Sequence, residues 1–180
     1  MNRLIPVDSD NAVPAPFRNT PIHKLLGWHN GFLDHDEHVT TPELLVGMCM
    51  DNRKKLRIPE NFAFILRSGG ANMRPSEFKV SFAVAVGGVR TLALIVHNFC
   101  GMVGLSGRRA EFVAGLVDAG WDRELAEQHF DAYAPLFEIG NEIDFVLSEA
   151  TRLRARYPKV LVAPLFYNVE DNRLYAITET

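Results

Sequence analysis

The chain carries two cysteines, Cys49 and Cys100, and each closes an apolar run. The first run is Leu44-Leu-Val-Gly-Met-Cys-Met-Asp-Asn-Arg53, and the second is Ala93-Leu-Ile-Val-His-Asn-Phe-Cys-Gly101, with His97 three residues before the second thiol. Two thiolates and an imidazole released from the carboxyl ends of two apolar strands form a soft donor set suited to zinc. Three protein ligands leave a fourth position open, which is the arrangement of a catalytic rather than a structural site. Asp51 stands within reach of such a metal, and Arg53 can occupy that carboxylate as a charge-assisted partner. A lone cysteine or histidine reads as a small buried hydrophobe or a satisfied core imidazole. The three together with an Asp and an Arg read as a metal centre.

The rest of the composition fits one enzyme-sized domain. At 180 residues, with 47% hydrophobic and 23% charged residues, the chain is long enough to bury a proper core. A formal charge of −3 argues against a nucleic-acid partner or an anionic membrane surface. No apolar run approaches the roughly 20 residues of a membrane span. The first ten residues lack the apolar stretch of a secretory signal, so a cytoplasmic protein with reduced thiols is expected.

Several elements must position the ligands. Residues 1–20, with Pro6, Pro14 and Pro16, read as an extended arm that gains order by lying on something else. Thr20-Pro21 starts a helix that runs through Trp28. The polar segment 29–38 holds His29, His35 and His38 without a repeating ligand spacing, and reads as a solvated loop. Strands are predicted over 44–49, 62–67, 91–97 and 159–167, with a hairpin into a last strand over 174–177. A basic loop (Arg53-Lys-Lys-Leu-Arg57) separates the first two, and Ser68-Gly-Gly-Ala71 makes a tight turn after the second. Helices are predicted over 75–88, 108–118, 122–132 and 136–157, the last stopped by Pro158. The fold class is α/β: a mostly parallel central sheet of about four strands, an antiparallel edge strand and flanking helices. Sites in such sheets gather beyond the carboxyl ends of the strands, where Cys49 and His97 fall.

Cys49-x-Asp51-x-Arg53 followed by His97-x-x-Cys100-Gly101 resembles the zinc motif of the β-class carbonic anhydrases. Phe64-Ile-Leu-Arg-Ser-Gly-Gly-Ala71 is similar to that family's strand ending in Arg-Asn-Ala-Gly, and the resemblance covers roughly residues 40–178. It implies that Cys49, His97 and Cys100 bind Zn²⁺, that Asp51 and Arg53 form a catalytic dyad, and that Asp51 itself ligates the metal in a closed state only. The implied reaction is reversible hydration of carbon dioxide to bicarbonate by a zinc-bound hydroxide. The implied organisation is a zinc domain over 41–180 in a homodimer or higher homo-oligomer. Residues 1–40, an arm and helix without an evident partner in their own domain, are expected to pack on the neighbouring subunit.

Three residues depart from the family pattern. Val96 stands where glycine is usual, Ser68 where asparagine is usual, and the only glutamine is Gln128, far downstream of the position where the family has one near the substrate. An apolar surrounding of Phe62, Phe64, Phe99 and Met102 suits a less polar substrate. Two alternatives are therefore a hydrolase of carbonyl sulfide or carbon disulfide on the same scaffold, and a non-catalytic zinc-binding relative.

Overall fold

The computed structural model describes residues 3–34 and 38–179. Two of the apolar runs become adjacent inner strands of the sheet. Strand β2 (Leu44–Cys49) and strand β4 (Thr91–His97) are buried along their whole length, as expected of parallel strands covered on both faces. Beside them run β3 (Ala63–Ser68) and β5 (Leu161–Asn168), all four parallel. Strand β6 (Arg173–Ile177) returns antiparallel to β5, and a short strand β1 (Leu4–Pro6) pairs antiparallel with β6. The six-stranded order is β1-β6-β5-β4-β2-β3, so β3 is one edge and β1 the other.

Alternation along the strands feeds two apolar layers. Leu44, Val46, Met48, Ala93 and Ile95 face helix α1 (Pro21–Asn30), whose Ile22, Leu25, Leu26 and Trp28 are buried. Leu45, Leu92, Leu94 and Val96 face helices α2 (Glu77–Ala85) and α5 (Glu142–Arg156) through Val80, Ala83, Val146, Ala150 and Leu153. Helices α3 (Arg109–Asp118) and α4 (Arg123–Phe137) form a hairpin beyond the carboxyl end of β4.

Three expectations are corrected. The arm does have a partner within its own chain: β1 joins the sheet, and Val7, Val13 and Phe17 are buried in the same core as α1. Pro6 is accommodated because β1 is an edge strand, where a missing N–H costs no ladder bond. Helix 136–157 is not continuous. Helix α4 extends through Pro135 to Phe137, and Asn141 then caps a new helix by accepting from the Ile143 and Asp144 N–H groups. The solvated loop begins later than expected, because α1 runs to Asn30 and Gly31 closes it in the left-handed conformation (φ 83°). His29 is therefore a buried helical residue, whereas His38 is exposed and His35 lies outside the described residues.

Candidate metal centre

Strands β2 and β4 are neighbours, and their carboxyl ends place the three expected ligands together. One donor atom from each of Cys49, His97 and Cys100 lies within 4.8 Å of the others, and all three residues are buried. The two sulfurs are 4.0 Å apart and the cysteines are free thiols. Between His97 and Cys100 the chain reverses sharply. Phe99 takes a left-handed conformation (φ 56°), and the Val103 N–H donates to the Cys100 carbonyl. Asn98 anchors this turn: its side-chain oxygen accepts from the Val169 N–H, and its amide donates to Asn168 and Glu170.

The hydrogen bonding of His97 leaves one ring nitrogen able to bind a metal. Nδ1 lies 2.8 Å from the Asn98 carbonyl, which can only accept, so Nδ1 carries the proton and Nε2 presents its lone pair. Nε2 is buried and makes no hydrogen bond among the described residues. A buried ring nitrogen without a partner is costly unless something absent from the polypeptide satisfies it. With two thiols beside it, this donor set fits zinc. The Cys49 thiol is lowered chiefly by its contact with Cys100, against burial, with His97 and backbone N–H groups adding to the shift, and Cys100 is pushed up in turn.

Asp51 and Arg53 are joined by hydrogen bonds. Arg53 Nε donates to both carboxylate oxygens of Asp51 (3.0 and 3.1 Å), Nη2 donates to Oδ2 (2.6 Å), and the Arg53 N–H donates to Oδ1 (2.9 Å). Arg53 holds the Asp51 carboxyl well below the usual carboxylate range, and Asp51 raises Arg53. Nη2 also reaches the Phe99 carbonyl at 3.1 Å, which links the Cys49 loop to the His97 turn. Asp51 Oδ2 lies 4.0 Å from His97 Nε2. The carboxylate thus stands at the edge of the ligand cluster while engaged on Arg53.

Two residues of this site escaped the sequence reading of their roles. Arg67 donates to the carbonyls of Cys49, Asp51 and Lys54, and so staples the loop that carries the dyad. Lys54, expected in a basic loop, is fully buried, with Nζ 3.7 Å from Asp51 Oδ1. A lysine inside a basic run carries no sequence signal of burial. The expected apolar surrounding is also rearranged. Phe62 is buried in the core against Trp28, and Phe64 packs beside α2, so neither lines the site. Met102 does pack on Cys49 and Cys100, and with Met50, Gly69, Phe130 and Phe137 it lines an apolar cavity of about 280 Å³.

No family model and no curated protein matches the sequence. Solved structures do match its backbone. A carbonic anhydrase from Glaciozyma antarctica superposes with a TM-score of 0.63 at 22% identity, over 82% of this chain and 89% of that one. The β-carbonic anhydrase isoform I of Trichomonas vaginalis gives 0.64 at 14% identity, over 82% and 90%. This chain has the β-carbonic anhydrase fold. A carbon disulfide hydrolase in its apo form shares the fold with a TM-score of 0.56 at 20% identity, over 78% of this chain and 80% of that one. Within this fold, the strands that end in Cys49 and His97 are neighbours in the interior of the sheet.

Proposed function

We propose that the protein is a zinc-dependent carbonate dehydratase, which hydrates carbon dioxide reversibly to bicarbonate and a proton. The observation that carries this reading is the buried Cys49–His97–Cys100 group with an unpartnered Nε2, set beside a carboxylate gripped by Arg53. Cys49, His97 and Cys100 would hold the zinc ion, which would lower the pKa of a coordinated water and so supply a nucleophile near neutral pH. The chain's own residues do the rest. Asp51, kept ionised by Arg53, can only accept, so it orients a proton-bearing nucleophile with its lone pair turned toward substrate. Arg53 satisfies both carboxylate oxygens and so keeps Asp51 from filling the open ligand position. Stopped-flow hydration of carbon dioxide, measured with zinc content on the same sample, tests this. Zinc-loaded protein no faster than buffer sinks it.

A second reading, hydrolysis of carbonyl sulfide or carbon disulfide, is favoured by the apolar cavity beside Met102 and by the kinship in fold with a carbon disulfide hydrolase. Sulfide release from either gas discriminates between the two. Loaded protein inert on all three gases leaves a non-catalytic zinc-binding relative.

The reading includes a homodimer or higher homo-oligomer working in the cytoplasm, where both thiols stay reduced. Because the arm is used up within its own chain, we place the interface at β3. That edge strand exposes Phe64 next to Phe78 and Phe82 of α2, and exposes Ile65 as well. Light scattering that finds an active monomer at micromolar concentration refutes it.

A further inference from the structure

Asp51 is gripped from two sides by different kinds of cation. Arg53 comes from the solvent side, its side chain 47% exposed. Lys54 comes from the interior: its side chain is fully buried, its Nζ lies 3.7 Å from Asp51 Oδ1, and Nζ makes no hydrogen bond among the described residues. An ammonium so placed is a costly core residue, and an apolar side chain of the same length would fill the space without that cost. Packing therefore does not explain a lysine here. The described carboxylate within ion-pair distance is Asp51, and the geometry says what the pairing does. Oδ1 faces the lysine, while Oδ2 lies 4.0 Å from the free nitrogen of His97. The carboxylate is suspended between a buried cation and the ligand cluster.

We propose that Lys54 is a positioning residue that holds Asp51 on the dyad and out of the open ligand position. Arg53 alone is screened by the water that reaches it, whereas the attraction of a buried ammonium is weakened far less. Arg67 fixes the backbone from which Lys54 acts, donating to the Lys54 carbonyl at 3.1 Å. The inference rests on the metal-centre reading of Cys49, His97 and Cys100, but not on which gas is the substrate.

The test is a double-mutant cycle on zinc affinity, measured by chelator competition with Lys54→Met, Asp51→Asn and the double variant. Without the lysine, Asp51 swings onto the metal as a further ligand, so Lys54→Met binds zinc about tenfold tighter or more, while activity falls. In the Asp51→Asn background the same change alters zinc affinity by less than about twofold, since no carboxylate remains to be released. A tightening that persists in that background is a through-space charge effect and overturns the proposal. Azide binding to the cobalt-substituted protein gives a second readout: the spectral response is weakened in Lys54→Met and restored in the double variant. An undiminished response in Lys54→Met overturns the proposal as well. If Lys54→Met does not fold, Lys54→Gln keeps a polar head without the charge and takes the same measurements. A wild type that takes up neither metal sinks the metal-centre reading and this inference with it. A metal-binding wild type with no coupling in the cycle sinks only the role of Lys54.

Discussion

Two histidines are buried among the described residues, and their hydrogen bonding separates them. His29, 1% exposed, closes α1 with both ring nitrogens occupied: Nε2 donates to the Asn172 carbonyl and Nδ1 accepts from the Arg57 N–H. His97, 0% exposed, ends β4 with Nδ1 occupied and Nε2 free. Burial is the same and residue type is the same. What differs is one unsatisfied nitrogen, and that nitrogen faces two thiols. His29 joins α1 to the β6 hairpin and to the loop after β2, so its imidazole is structural. An imidazole left incomplete beside two thiols is one that can take a metal.

The largest expected effect breaks the comparison directly. His97→Ala and Cys49→Ser lose stoichiometric zinc and, with it, activity to the level of buffer. His29→Gln keeps zinc near one equivalent per chain. Elemental analysis of the three variants checks this, and full zinc in His97→Ala means the ligand has been misassigned.

The same comparison has a pH dependence with a definite sign. Burial, its largest cause, lowers the His29 pKa from 6.5 to about 4. The unfolded chain therefore takes up a proton at a pH where the folded chain does not. The stability from neutral His29 is fully present above about 6.5, declines as pH falls and is exhausted near 4. A depression of that size is worth about 3 kcal/mol. Urea titrations of metal-free protein between pH 7 and 4 should show this decline, and His29→Gln should flatten it. An equal decline in that variant assigns the effect to another group.

The dyad sharpens the comparison from the side of the metal. Arg53→Ala should keep zinc and lose about 10- to 100-fold in activity, since Asp51 is then less restrained from the metal. Asp51→Asn should also keep zinc, with a similar loss, because the nucleophile is no longer oriented by an ionised acceptor. Rates measured against zinc content decide, and wild-type rates from a loaded Arg53→Ala protein dissolve the role of the dyad.

How much of this was legible in the sequence depends on the kind of signal. Strands β2 and β4 were readable to the residue because both are continuous apolar runs that end in chemically distinctive side chains. The meeting of Cys49, His97 and Cys100 followed from residue types and from the two strands that carry them. Strand β1 was not readable: three residues ending in proline have no strand pattern, and only the free edge of β6 orders them. The break between α4 and α5 was hidden by an apolar stripe that spans it, because Ile139 is buried outside any helix, its N–H donating to the Met102 carbonyl. Lys54 and His29 were misread for one shared reason. Polar residue types in polar runs predict exposure, and burial of a single member is decided by tertiary packing.

The smallest effect concerns the turn that carries His97 to Cys100. Phe99 sits at φ 56°, a conformation that costs a residue with a Cβ about 1–2 kcal/mol and glycine almost nothing. The residue is 65% exposed, so truncation forfeits little packing. Its contribution to the site is a main-chain carbonyl that accepts from Arg53, which glycine retains. Against the relief of strain stands the greater entropy that glycine gives the unfolded chain, about 0.5–1 kcal/mol. The difference leaves Phe99→Gly more stable by about 0.5 kcal/mol, a rise in melting temperature of about 1–2 °C for a chain of this size. Zinc affinity should not change, because the Nδ1 bond to Asn98 and the anchoring of Asn98 to the β5–β6 turn do not involve the ring. A variant that melts higher but binds zinc more weakly would mean that the strain at Phe99 helps to aim Cys100. The open nitrogen of His97 would then be only half of what prepares the site, and the conformation of the turn the other half.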